Sequence, residues 1–138
     1  MDWDPLIEAA KGALTNAYAP YSGYRVGAAV GAEGGSIYIG ANVENRSFGA
    51  TICAERIAIG QALSSGAKRL EALVVITESS PPAPPCGMCL QVIAEFASAD
   101  LPILLVSLEG EREVYRLGDF QPHPFELPEQ GLGRRPNG

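Results

Sequence analysis

Cysteine and histidine are rare in this chain of 138 residues, and a long apolar segment is missing from it. The odd count of three cysteines argues against a disulfide framework and favours metal or redox chemistry. The longest apolar run, LPILLVSL, is too short to cross a bilayer. The first residues, MDWDPLIEAA, carry no basic stretch and no long apolar run. We therefore expect no signal peptide, no membrane association and a cytoplasmic protein.

Basic residues are fewer than acidic residues, with 10 Lys and Arg against 16 Asp and Glu. The net charge is −6 and the isoelectric point is near 4.7. An acidic surface repels phosphate backbones, which argues against a nucleic-acid partner but leaves a small neutral substrate open. Hydrophobic residues make up 46% of the chain and charged residues 19%, which is enough apolar material for the core of one domain. We expect that domain to span residues 1–129 and to be followed by a flexible tail at 130–138.

Strand and helix patterns alternate along the chain. Helices are predicted at 4–18, 51–66 and 86–97, and strands at 24–32, 36–43, 70–78, 101–108 and 113–117. EGGS joins the first two strands as a hairpin, whereas the later strands are separated by helices and are nearly all apolar, as in a parallel sheet. The pattern predicts an α/β fold, a three-layer α/β/α sandwich with a mixed sheet.

All three cysteines fall at predicted helix starts. Cys86 and Cys89 form C-x-x-C where the proline-rich loop SSPPAPPCG enters a helix, and Cys53 opens the helix before it. Backbone N–H groups and the helix dipole stabilise thiolates at such positions. Two helix starts directed at one point could supply three thiolates to a zinc ion.

Other interpretations of the cysteines remain open at this point. A redox pair at Cys86 and Cys89 leaves Cys53 unexplained. A structural zinc site needs a fourth protein ligand, and the only histidine, His123, lies between prolines in QPHPF, where a loop residue is the simpler interpretation. If His123 is not a ligand, the fourth zinc position is open to water, as in catalytic sites. A non-catalytic Cys3His zinc module is the alternative.

Glu55 and Arg56 follow Cys53 within the same predicted helical turn. Three thiolates make a zinc centre negative, and Arg56 is placed to offset that charge by hydrogen bonding to the sulfurs. Positions two apart share a cavity only at the first turn of a helix, which is where Cys53 and Glu55 lie. A carboxylate there can take a proton from a water molecule and pass it on. On its own, Glu55 could equally be an ordinary acidic residue at a helix start.

These motifs, TICAER and PPCGMC, resemble the signature of the small zinc-dependent cytidine deaminases. Three further segments are similar to that family in order and spacing: AYAPYSGYRVGAAV at 17–30, GANVEN at 40–45 and CLQVIAEF at 89–96. The resemblance covers nearly the whole chain before the tail.

The resemblance implies hydrolysis of cytidine or deoxycytidine to the uridine nucleoside in pyrimidine salvage, with one Zn²⁺ per chain held by Cys53, Cys86 and Cys89 and protons moved by Glu55. It also implies a homotetramer with shared active sites. The substrate contacts that it implies are Asn42 and Glu44 on the ribose, Tyr24 and Ala54 in the pocket, and Phe48 and Phe125 as walls supplied by a neighbouring chain.

Tyr24 stands where the family usually has Phe, and two further positions depart from the family. Leu90 stands where the family usually has Arg, so Arg56 offsets the thiolate charge with less help, and Phe48 stands where the family commonly has Tyr. These departures keep a second substrate class open, a modified cytosine nucleoside of the blasticidin type. A deaminase of nucleic acid is a third class, which the net charge of −6 disfavours.

Overall fold

A sheet of five strands with helices on both faces forms the core of the chain. The computed structural model describes residues 1–128. Its elements are, in order, α1 (Asp4–Leu14), β1 (Val26–Ala32), β2 (Ile37–Ala41), α2 (Ala54–Ser64), β3 (Leu70–Thr77), α3 (Gly87–Phe96), β4 (Pro102–Ser107), β5 (Arg112–Arg116) and α4 (Leu117–Phe120). Single 3-10 turns lie at Glu33–Gly35 and Phe48–Ala50.

The strands lie in the order β2-β1-β3-β4-β5. The pair β3–β4 is parallel and the other three pairs are antiparallel, so the sheet is mixed, as predicted. Antiparallel pairing of β1 and β2 confirms the predicted hairpin. The parallel pair is joined by a crossover that contains α3, and the loop ahead of α3 carries the C-x-x-C motif to the carboxyl end of β3.

The side chains of β3 alternate between two separate apolar clusters. Leu73 and Val75 pack with α2 and α3 on one face, whereas Val74 and Ile76 pack with α1 on the other. Successive residues of a strand point to opposite faces, so an almost continuous apolar run is what a strand covered on both sides requires. The three-layer sandwich is confirmed.

Two glycines let helices lie directly on the sheet. A Cβ at Gly27 would come within 2.9 Å of Leu14 Cβ in α1, and one at Gly40 within 2.5 Å of the backbone nitrogen of Ala58 in α2. Neither position could carry a side chain without displacing the helix. The contact at Gly40 fixes where α2 sits on β2, and therefore where Cys53 at its start is held.

Two predicted helices are shorter than expected, because backbone pairing takes over at their ends. The first ends at Leu14 rather than at residue 18, since Tyr18 exchanges backbone hydrogen bonds with the segment after β2 at 2.8 and 2.9 Å. The second begins at Ala54 rather than at residue 51, since Ile52 and Val43 exchange two backbone hydrogen bonds of 2.9 Å. Pattern analysis also missed α4 and the turn Phe48–Ala50.

The predicted tail at 130–138 lies outside the described residues. The extent of the domain, predicted as 1–129, stays a prediction. Within residues 1–128, no helix is long and apolar enough to cross a membrane.

Candidate functional site

The starts of α2 and α3 meet. Cys53 is the N-cap residue of α2 and Cys86 that of α3, both with extended backbone, and Cys89 lies in the first turn of α3. The prediction that all three cysteines stand at helix starts is confirmed. Because unpaired N–H groups point out of both helix starts, this end of the sheet favours negative charge.

The three sulfur atoms form a cluster that fits a tetrahedral metal. Cys53 Sγ lies 4.0 Å from Cys86 Sγ, and all three sulfurs lie within 4.8 Å of one another. Zn²⁺ with Zn–S distances of about 2.3 Å separates its sulfur ligands by about 3.8 Å. The cysteines are not joined by disulfides. Their spacing and chemistry suit Zn²⁺, with one coordination position left over.

His123 is not a member of this cluster. In the part of the chain that the structure describes, the group of side chains close enough to hold an ion consists of three cysteines, and His123 is an exposed residue of the segment after α4. A Cys3His centre within one chain is therefore not formed. An open fourth position is the arrangement typical of catalytic zinc.

Arg56 compensates the charge of the sulfurs. One of its terminal nitrogens donates to Cys53 Sγ at 3.5 Å and to the Thr51 carbonyl oxygen at 3.3 Å. Its Nε is buried and has no partner within residues 1–128. A guanidinium with a buried spare donor beside thiols fits a centre that becomes negative when the thiols ionise to bind metal.

The thiols themselves ionise unequally. A hydrogen bond from Cys89, assisted by Arg56, lowers the pKa of Cys53 to about 5. The same hydrogen bond and burial raise the pKa of Cys89, which is completely buried. Cys53 is therefore the first to become a thiolate, and a cation is needed before Cys89 follows it.

Glu55 is a buried carboxyl that opens only on the cavity in front of the sulfurs. It is 5% exposed, and burial raises its pKa to about 7, with a smaller contribution from the neighbouring Cys53. Such a group exchanges protons readily at neutral pH. Cys53 and Glu55 do face one cavity from the first turn of α2, as the sequence predicted.

That cavity has a volume of about 290 Å³. Its lining includes seven of the predicted site residues, which are Tyr24, Asn42, Glu44, Cys53, Ala54, Glu55 and Cys86. Cys89 lies buried behind them, within the sulfur cluster. A cavity of this size, with a carboxyl and a metal-binding cluster in its wall, suits a small organic substrate.

Asn42 and Glu44 are bound to the loop that precedes β1. Asn42 accepts the Val26 N–H at 3.0 Å and donates to the Tyr24 carbonyl at 2.8 Å. Glu44 accepts the N–H groups of Tyr21 and Ser22 at 2.9 and 3.1 Å, and the Ser22 hydroxyl as well. These bonds, that of the Ser22 hydroxyl first, lower the pKa of Glu44 and keep it anionic. Both residues therefore shape this wall of the cavity in addition to offering it polar atoms.

Phe48 and Phe125 do not line the cavity of this chain. Phe48 is 76% exposed and its ring makes an edge-to-face contact with the Tyr21 ring, and Phe125 is 69% exposed. The Phe125 carbonyl accepts a hydrogen bond of 3.2 Å from Gln91 on α3. Leu90, a departure from the family, is half-buried and packs against the apolar cluster on the face of the sheet that α2 and α3 cover.

Pattern analysis missed several cavity residues, among them Ser22, Thr51 and Thr77. A signal existed for Thr77, because a polar residue that ends a buried apolar strand beside a parallel partner stands where ligands of open α/β sheets bind. Ser22 and Thr51 sit in loops, and no local pattern marks loop residues that meet only through folding.

Comparison with known proteins agrees with this geometry. Residues 2–105 match the model of the family described as "Cytidine and deoxycytidylate deaminase zinc-binding region". A cytidine deaminase of Sporosarcina psychrophila is 43% identical over 125 residues, which cover 91% of this chain and 92% of that protein. A cytidine deaminase of Mycobacterium tuberculosis H37Rv is 37% identical, with 98% of both chains covered.

Solved structures give the same result. The crystal structure of a cytidine deaminase from Burkholderia pseudomallei superposes with a TM-score of 0.87 at 42% identity, and covers 91% of this chain and 100% of its own. The chain therefore belongs to the zinc-binding cytidine and deoxycytidylate deaminase family.

Proposed function

We propose that this protein is a zinc-dependent deaminase that converts cytidine and deoxycytidine into uridine and deoxyuridine, a reaction of pyrimidine salvage. The observation that carries the proposal is the meeting of Glu55 and the three-cysteine cluster in one cavity. The names of its relatives support a cytidine substrate over a modified cytosine. A cytoplasmic location stays a prediction.

The cysteines and Glu55 would share the chemistry. Zn²⁺ held by Cys53, Cys86 and Cys89 would supply a Lewis acid that makes a water molecule acidic near neutral pH. Glu55 takes a proton from the attacking water and delivers it to the ring nitrogen N3 as the oxygen bonds to C4. Glu55 then moves the second proton from that oxygen to the exocyclic nitrogen as the bond from C4 to that nitrogen breaks, so that ammonia leaves and a C4 carbonyl remains. A carboxyl whose pKa is about 7 can both accept and release the proton.

The remaining walls would bind the nucleoside. Asn42 and Glu44 offer an amide and a carboxylate, which pair well with ribose hydroxyls, and an amide nitrogen with one hydrogen bonded to Tyr24 retains a second for a ligand. Tyr24 and Ala54 would pack against the base. Arg56 would stabilise the charge of the sulfurs without touching the substrate.

The direct test of this function is a substrate comparison. We expect the purified protein to convert cytidine and deoxycytidine, with a fall in ultraviolet absorbance matched by release of one ammonia per nucleoside. Blasticidin S and single-stranded DNA are the comparison substrates, and we expect either to react at least about 10² times more slowly. Faster turnover of blasticidin S than of cytidine would contradict the proposal in favour of the modified-cytosine class.

We further propose a homotetramer in which neighbouring chains complete each other's active sites. The support lies in two exposed aromatic side chains: Phe48, three residues before Thr51 in the cavity wall, and Phe125, whose carbonyl accepts a hydrogen bond from Gln91 on α3. Phe48 packs against the exposed ring of Tyr21, and contiguous exposed apolar surface typically marks an interface. Closed symmetric assemblies repeat one such contact around the oligomer.

Mixing two inactive variants tests the shared site. Glu55→Gln and Phe125→Ala chains should each be nearly inactive alone. Refolded together, random tetramers should hold about a quarter of their sites with an intact Glu55 and a neighbour's intact Phe125. We therefore expect clear recovery of activity, together with a tetrameric mass in light scattering. Each variant refolded by itself is the control, and a monomeric mass without recovery would refute the shared site.

A further inference from the structure

Four polar groups form a continuous hydrogen-bonded chain along one side of the cavity. The Tyr24 hydroxyl lies 2.8 Å from Ser79 Oγ, and Ser79 Oγ lies 3.2 Å from Thr77 Oγ1. The Ala83 N–H donates to Thr77 Oγ1 at 3.2 Å. Because hydroxyls both donate and accept, the three hydroxyls can bond in series.

The two ends of this hydrogen-bonded chain lie on different walls of the cavity. Tyr24 belongs to the loop before β1, whereas Ala83 belongs to the proline-rich loop at 79–85 that leads to Cys86. Between them, Thr77 is the last residue of β3, the middle strand of the sheet, and is 2% exposed. A buried hydroxyl without a partner is costly, so these bonds connect both walls to the central strand of the sheet.

The Tyr24 hydroxyl is occupied by Ser79. That leaves the apolar ring as the part of Tyr24 available to pack against a ligand in the cavity. Ala83 and Pro84, held through Thr77, offer a second apolar surface in the same cavity. A flat aromatic base is the kind of ligand that fits between apolar walls held at a fixed separation.

We propose that Thr77 and Ser79 are positioning residues that hold the Tyr24 ring and the proline-rich loop at the separation a pyrimidine base requires. This inference rests on the proposed deaminase function. Neither hydroxyl needs to touch the substrate, because both act through the walls that they support. Preorganised walls bind ground state and transition state alike, so their loss should raise KM more than it lowers kcat.

Thr77→Val is the decisive variant, because valine keeps the shape of threonine and removes the hydroxyl. We expect KM for cytidine to rise about tenfold and kcat to fall less than about threefold, with an unchanged zinc content. Thr77→Ser should restore the parent KM. An unchanged KM in Thr77→Val would overturn the proposal. A KM in Thr77→Ser that is as high as in Thr77→Val would overturn it as well.

Ser107→Ala provides a matched control. Ser107 is the register partner of Thr77 on β4, is 1% exposed, and accepts the Glu111 N–H at 3.0 Å. It makes the same kind of buried hydroxyl bond to a loop but does not line the cavity. We expect it to lose stability comparably and to keep the parent KM. A similar rise in KM for both variants would show a general structural effect and would refute positioning.

A double variant and an exchange measurement complete the test. The double variant Tyr24→Phe, Thr77→Val should raise KM no more than the larger of the two single changes does, because both substitutions interrupt the same series of hydrogen bonds. Amide hydrogen exchange at Ala83 should be about tenfold or more faster in Thr77→Val. This measurement needs no substrate, so it separates the two proposals. Faster exchange in a protein that is inactive on cytidine would contradict the proposed function but would still show that Thr77 supports the loop. Unchanged exchange would overturn the inference itself.

Discussion

Replacing Glu55 with glutamine will leave a folded protein that binds zinc and deaminates cytidine about 10² to 10⁴ times more slowly than the parent. Glutamine has almost the same shape and keeps the packing of a side chain that is 5% exposed. It cannot accept a proton from water, which is the task assigned to Glu55. Steady-state rates with zinc analysis of the same sample measure the effect. A variant that works at the parent rate would reduce Glu55 to an acidic residue at a helix start.

The stability of this variant separates lost chemistry from lost structure. Burial raises the pKa of Glu55 from 4.5 to about 7. A carboxyl with a higher pKa in the folded than in the unfolded chain lowers the free energy of unfolding as pH rises from about 4.5 to about 7. Uncharged glutamine escapes this loss, so zinc-free Glu55→Gln should be more stable than the zinc-free parent at pH 8, by about 3 kcal/mol at most. The two should agree below pH 4.5.

Glu71→Gln is the control for both measurements, since Glu71 is an exposed carboxylate on β3, away from the cavity. We expect it to change neither the rate nor the pH dependence of stability by more than experimental error. A loss of activity in Glu71→Gln similar to that in Glu55→Gln would point to net charge rather than to proton transfer.

Removing the Cys89 sulfur will release zinc and stop turnover. Cys89 is completely buried in the first turn of α3, and its sulfur is within 4.8 Å of both others. Two thiolates are too few to hold Zn²⁺ at a protein site of this kind, so Cys89→Ala should hold almost no metal, against about one zinc per parent chain. Its activity should fall by more than about 10²-fold. Loss of a residue that only supports a metal ligand typically costs about 10²-fold at most.

Elemental analysis of protein purified without added metal measures this, with Ile93→Val as the control. Ile93 is completely buried one turn after Cys89, and the change removes one methylene from the core. It should cost about 0.5–1.5 kcal/mol and leave zinc and activity intact. If Cys89→Ala retained zinc at the parent level, the three-cysteine cluster would not be the metal site.

The element types were readable from the sequence because they depend on local patterns. The apolar run of β3, the EGGS hairpin and the helix that follows Cys86 are all where the patterns predicted them. Helix ends were less readable. Tyr18 and Ile52 leave their predicted helices to pair with the segment around Val43, and such pairing between distant segments has no local signal.

The predicted chemistry comes from local features of the sequence: three cysteines at helix starts, Glu55 and Arg56 beside the first of them, and a motif spacing similar to that of the cytidine deaminases. These are properties of short segments, and a helix start stabilises thiolates whatever surrounds it.

Which of these groups meet in one site depends on how the helices and strands pack. Gly40 lets α2 lie on β2, and the parallel pairing of β3 with β4 brings the start of α3 beside it, so that sulfurs 33 residues apart come within 4.0 Å. In the folded chain Glu44 likewise accepts a hydrogen bond from the Ser22 N–H, and Ser79 links Tyr24 to Thr77. Each of these contacts joins segments that are far apart in the chain, and their geometry is set by the packing of helices on a shared sheet rather than by the residues next to them.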